Sequence, residues 1–116
     1  MTTFSHKIAA ACDDDTVAIY DSVTGVLQLS LNPENPIQSV AGSPSGSILF
    51  CAHKAPSITV WDIQTGGIIH TFILDRNAEE IAVSLMGRYL ACGLSDGSVE
   101  VLGVANKMEG AAVWSN

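Results

Sequence analysis

Short apolar runs alternate with clusters of Asp, Asn, Ser, Pro and Gly along the whole chain. Runs of that length, rich in β-branched residues and bounded by turn formers, predict strands rather than helices. In the first part of the chain, Lys7 to Cys12, Val17 to Asp21 and Val26 to Leu31 read as strands. Asp13-Asp14-Asp15-Thr16 is a tight turn between the first two, because Asp tolerates left-handed geometry and bonds its own backbone. Asn32-Pro33-Glu34-Asn35-Pro36 stops the ladder. Ile37 to Gly42, Ser47 to His53, Ile58 to Asp62 and Gly67 to Leu74 form a second set. Glu80 to Ser84, Tyr89 to Leu94, Val99 to Leu102 and Met108 to Trp114 form a third, with no convincing helix anywhere.

The three sets are in phase. Tyr20, Trp61 and Leu102 are spaced by 41 residues, as are Ile8, Leu49 and Leu90, and Ile19, Val60 and Val101. A fixed period of this size is the mark of a repeat architecture in which each unit is one small supersecondary element. Held strictly, the same phase places Thr2 at the position of Ser43, so residues 1–6 are expected to form only a turn. Unit one then has three strands and lacks the first strand of the other two.

The sequence resembles WD-repeat β-propellers. The resemblance is carried by Asp14-Asp15-Thr16-Val17-Ala18-Ile19-Tyr20-Asp21, by Ser57-Ile58-Thr59-Val60-Trp61-Asp62-Ile63-Gln64-Thr65-Gly66 and by Ser95-Asp96-Gly97-Ser98-Val99-Glu100-Val101. It implies an all-β fold of four-stranded antiparallel blades around a central channel, and a rigid platform for protein contacts. The motif residues it marks are Asp14 and Asp96 at the turn position, and Tyr20-Asp21 and Trp61-Asp62 at the Trp-Asp position. The pattern departs from the family's Gly-His pair, which Asn32-Pro33 and Ile73-Leu74 replace. The buried His–Asp–Trp hydrogen-bond network of the family is therefore expected to be incomplete in every unit, with the blades held mainly by apolar packing.

One domain, 1–116, is expected, with blade one at 1–32, blade two at 37–74 and blade three at 78–116. Propellers commonly have four to eight blades. Three would leave apolar faces and strand edges open. The expectation is a half-propeller that completes itself by self-association, two copies making a six-bladed ring. The alternative is a fragment of a longer propeller protein. Trp114 is read as an anchor for another subunit.

Charge and cysteine content narrow the function. The chain has 116 residues, 12 acids against 5 bases and a net charge of −7. That argues against nucleic-acid partners, which need a basic face, and against anionic membrane surfaces. Cys12, Cys51 and Cys92 cannot all pair within one chain, so free thiols and a cytoplasmic location are expected. No apolar run reaches the length of a membrane span. Cys51 and His53 share a strand face, but a zinc site or a thiol nucleophile needs more convergent groups. They are read as a core thiol and a strand-end histidine. No metal, cofactor or catalytic residue is predicted. The expected function is a non-enzymatic protein-interaction scaffold; the alternative is a propeller that binds a small ligand or glycan.

Overall fold

A computed structural model describes residues 1–33 and 35–104, and the backbone of residues 114–115. The described residues are strands and turns without a helix. β1 (Thr2–Phe4), β2 (Lys7–Ala11), β3 (Val17–Asp21) and β4 (Leu27–Leu31) make the first antiparallel sheet. β5 (Ile37–Gly42), β6 (Ile48–His53), β7 (Ser57–Asp62) and β8 (Ile68–Ile73) make the second. β9 (Ala78–Val83), β10 (Tyr89–Leu94), β11 (Val99–Val104) and β12 (Trp114–Ser115) make the third. Each is an up-and-down meander in chain order. The strand expected over Met108 to Trp114 falls mostly outside the described residues; Trp114 pairs with Val104 through its backbone.

Blade one has the inner strand that a strict phase denies it. Thr2 pairs with Ala9, Thr3 with Ile8 and Phe4 with Lys7. The reason is a shorter hairpin. Ser5 and His6 alone connect Phe4 to Lys7, with Ser5 at φ 55°. Between the equivalent pairs Thr3–Ile8 and Gly42–Leu49 lie residues 4–7 in blade one and residues 43–48 in blade two, two more. The shorter turn slides the inner strand along the repeat, so Thr2–Phe4 folds back onto β2. Phe4 is buried and lies flat over Gly42, where a Cβ would come within 2.0 Å of its Cγ. Only a glycine lets the ring approach that backbone so closely.

The blades stack face to face through two cores. Ala9, Val17, Ile19 and Leu31 of blade one meet Leu49, Cys51, Trp61 and Ile63 of blade two. Ile48, Phe50, Ile58 and Val60 from the other face of blade two meet Ile81, Leu90, Cys92 and Leu102 of blade three. Every position of β6 is buried, as expected of a strand covered on both faces. Full burial of such side chains contributes about 1.5–3 kcal/mol each. The period therefore has a physical meaning: residues 41 apart occupy equivalent places on successive faces.

Candidate functional site

The interior of blade two holds a polar relay. Trp61 Nε1–H donates to Thr59 Oγ1 at 2.8 Å. Thr59 Oγ1 lies 2.8 Å from His53 Nε2, and His53 Nδ1 lies 3.1 Å from the carbonyl oxygen of Asn35. Since Asn35 O can only accept, Nδ1 carries the proton and Nε2 accepts from the Thr59 hydroxyl. Every member is satisfied in a chain that runs from strand β7 through β6 to the connection before β5. The relay adds a polar element to the mainly apolar packing that holds the blades. It is confined to blade two by sequence, because Ala18 and Glu100 stand where Thr59 does, and Cys12 and Leu94 where His53 does. His53, 1% exposed, is thus bound into a buried network as well as standing at a strand end.

The four acidic motif residues work at turns. Asp14 Oδ1 accepts from Thr16 N and Oγ1, and Asp96 Oδ1 accepts from Ser98 N and Oγ. Asp21 Oδ1 takes Val23 N and Thr24 N, and Asp62 Oδ1 takes Gln64 N. Hydrogen bonds to the ionised form favour it. Those from the Thr16 side chain and backbone hold the Asp14 carboxyl below its usual range. The Ser98 side chain and backbone do the same for Asp96, and the Thr24 and Val23 amides for Asp21. Asp96 also pairs with Arg76 at 3.0 Å, an exposed contact. Tyr20 and Trp61 occupy equivalent places beside a bulge in the β3–β4 and β7–β8 ladders, but Trp61 is 6% exposed and Tyr20 only half-buried. The motif residues are dispersed over three blades, and the side chain of Trp114 lies outside the described residues.

Because the strands alternate in direction, the connections fall on two rims. One rim carries Asp13, Asp14, Asp15, Asp75 and Asp96 against Lys54 and Arg76. A cleft of about 540 Å³ opens there between Asp75, Arg76, Asp96 and Glu100. The opposite rim carries four exposed apolar side chains among polar turn residues: Leu85 is 90% exposed, Val23 79%, Met86 73% and Val26 60%. A cleft of about 400 Å³ lies on that side between blades one and two, lined by Lys7, Gln28, Ser45, Ser47 and Gln64. Among the described residues no three of His, Cys, Asp and Glu converge as metal ligands. The described residues contain no helix long and apolar enough to cross a membrane.

Comparison with known proteins places this geometry. The chain is 30% identical over 113 residues to the U3 small nucleolar RNA-associated protein 21 of Saccharomyces cerevisiae. It is 28% identical over 113 residues to the human WD repeat-containing protein 36. Each match covers 97% of this chain and 11% of the relative. The β-propeller domain of Cps50 (Swd1) from Myceliophteria thermophila superposes on 97% of the chain with a TM-score of 0.73 and 20% identity. The chain has the fold of a partial β-propeller and is similar in sequence to a WD-repeat protein. Hydrazine synthase of Kuenenia stuttgartiensis shares the fold at a TM-score of 0.76 over 88% of the chain, with 18% identity. This propeller segment spans 36% and 31% of those two solved chains. No family model matches it.

Proposed function

We propose that this WD-repeat segment is a non-enzymatic scaffold for protein contacts. It works within a closed ring that self-association completes. The observation that carries the contact role is a pair of exposed apolar sites on one rim, Val23 and Val26 on blade one and Leu85 and Met86 on blade three, each on a hydrogen-bonded turn. Exposed apolar clusters on an ordered surface mark protein interaction sites. Asp21 caps the turn that holds Val23, and Ser84 accepts from the amides of Arg88 and Tyr89 in the turn that holds Leu85 and Met86. The contact surface is therefore preorganised, which lowers the entropy lost on binding.

The name of the yeast relative ties that protein to U3 small nucleolar RNA. For this chain the net charge of −7 favours protein rather than phosphate contacts, so membership of a ribonucleoprotein would run through its protein components. Free thiols fit a reducing compartment such as the cytoplasm.

The test is affinity capture from native lysate with the parent chain and with the Leu85→Glu/Met86→Glu variant, after circular dichroism shows that both keep the same strand signal. The parent should retain a defined set of proteins that the variant loses. An identical set on both, or none on the parent, would overturn the rim as the contact surface.

A further inference from the structure

The cleft between blades one and two is a groove that crosses one rim from the outer strand inward. Its outer end is β4, with Gln28 and Leu29, and its inner end is the connection between β5 and β6, with Ser45 and Ser47. Lys7, Gln64 and the buried Ile63 complete it. Both walls belong to blades packed against each other through a shared core, so the groove does not depend on what adjoins the ends of the arc. The blades touch at both ends of the groove. A Cβ on Gly46 would come within 2.9 Å of the Ser5 Cβ, and one on Gly66 would lie 3.7 Å from Leu29 Cδ1. These contacts hold the walls at a fixed separation.

The groove is rich in donors. Among the described residues no acid lines it, in a chain with 12 acids against 5 bases. Lys7 is half-buried and, among the described residues, makes no ion pair. Asp21 stands opposite it in the β2–β3 ladder, but Asp21 Oδ1 is taken by the amides of Val23 and Thr24. The serines add a second donor. Ser43 Oγ lies 3.0 Å from Ser45 Oγ, which lies 2.8 Å from Ser47 Oγ. Three hydroxyl hydrogens serve two contacts, so one is spare. Ser43 is 9% exposed and accepts from Ile48 N, so a spare hydrogen there would be buried without an acceptor. The spare hydrogen therefore falls on Ser45 or Ser47, inside the groove. The exposed carboxamides of Gln28 and Gln64 supply further N–H groups.

We propose that this groove binds a carboxylate side chain on an extended segment of a partner protein, with the Lys7 ammonium as its counter-ion and the Ser45–Ser47 hydroxyls and a glutamine amide as further donors. This rests on the scaffold reading and deepens it, by naming a contact and the chemistry of its partner. One cation suits the single charge of a carboxylate, whereas a phosphoryl group carries nearly two charges and is met by clustered arginines. Leu29 and Ile63 in the groove, and Val26 exposed two residues before Gln28, favour a protein segment over a free acid, because they offer its neighbouring residues an apolar surface.

The test is an array of short blocked peptides, each with a central glutamate flanked by apolar residues and each beside its glutamine and phosphoserine counterparts. The 116-residue chain should bind glutamate peptides and leave their glutamine counterparts. In fluorescence anisotropy on the best glutamate peptide, Lys7→Met should weaken binding by at least about tenfold, the loss of one hydrogen bond to a charged group. Lys7→Glu should lose that peptide and prefer the same peptide with lysine at its centre, an exchange that a merely structural role for Lys7 would not produce. Circular dichroism first checks that both variants keep the strand signal. The glutamine peptides make the same comparison on the unaltered chain, so a variant that fails to fold leaves the proposal open to refutation. Glutamate and glutamine peptides that bind alike, or not at all, would overturn it. So would a preference for phosphoserine, or a Lys7→Met variant of unchanged affinity. The Leu85→Glu/Met86→Glu variant should bind the glutamate peptide as the parent does; loss of binding there would place the contact on the rim turns and overturn the groove. The groove and the rim turns therefore fail separately.

Discussion

Replacing Thr59 with valine removes one oxygen from the middle of blade two and leaves the shape of the side chain almost unchanged. That oxygen accepts from Trp61 Nε1 and donates to His53 Nε2, both at 2.8 Å. Trp61 is 6% exposed and His53 1%, so water cannot take its place at either atom. Each orphaned buried polar group costs about 1–3 kcal/mol. The added methyl returns at most about 0.8 kcal/mol. The net loss is about 1–5 kcal/mol, and at about 4 °C per kcal/mol for a domain of this size the melting temperature should fall by about 4–20 °C.

Thr59→Ser is the control. It keeps the hydroxyl and loses a methyl group, worth about 1 kcal/mol. Thermal unfolding followed by circular dichroism compares the two variants, and Trp61 fluorescence reports the indole environment. If the relay stabilises the blade, valine must be the worse substitution by a clear margin. A valine variant melting within about 2 °C of the parent, or no lower than the serine variant, would show that the hydroxyl contributes nothing net. In a Trp61→Phe background, where the indole donor is already gone, the valine change should cost less. Coupling of that kind is what residues in one hydrogen-bond network show.

Two further outcomes follow from thiol burial and turn geometry. In the native chain a maleimide reagent should modify Cys12, which is exposed, and spare Cys51 and Cys92. Burial pushes those two thiols up to about 12 and about 11, so the reactive thiolate is scarce at neutral pH; mass spectrometry showing more than one adduct before unfolding would contradict this. Ser5→Gly should raise stability by about 0.5–1 kcal/mol in denaturant titrations, because Ser5 sits at φ 55° where a Cβ is disfavoured; a loss of stability would mean that the Ser5 side chain holds the hairpin.

The 41-residue spacing of Tyr20, Trp61 and Leu102 exposes the architecture, since equivalent strands recur at that spacing and several of their positions repeat their burial. Val17 and Ile58 are both fully buried, and so are Leu49 and Leu90. Where the spacing breaks, the reading fails with it. Ala9 and Phe50 are 41 apart, but their partners Thr2 and Ala41 are 39 apart, because the first hairpin is two residues shorter. The signal for β1 is local rather than periodic: a short β-prone Thr-Thr-Phe run, then Ser5 and His6 as a turn. The relay is hidden for a different reason. His53, Thr59 and Trp61 look unrelated in the chain, since the family pattern puts its histidine before the first strand of a blade. Antiparallel pairing of β6 with β7 sets Ala52 opposite Ile58 and Cys51 opposite Thr59, which carries the end of β6 back alongside the threonine. A period reports which positions face the same way; it is silent about a hydrogen bond that only one of the repeats can make. The same limit applies at the open ends of the arc. The sequence marks Val101 and Val60 as equivalents, and only the folded chain shows that Val60 is covered while Val101 stands exposed.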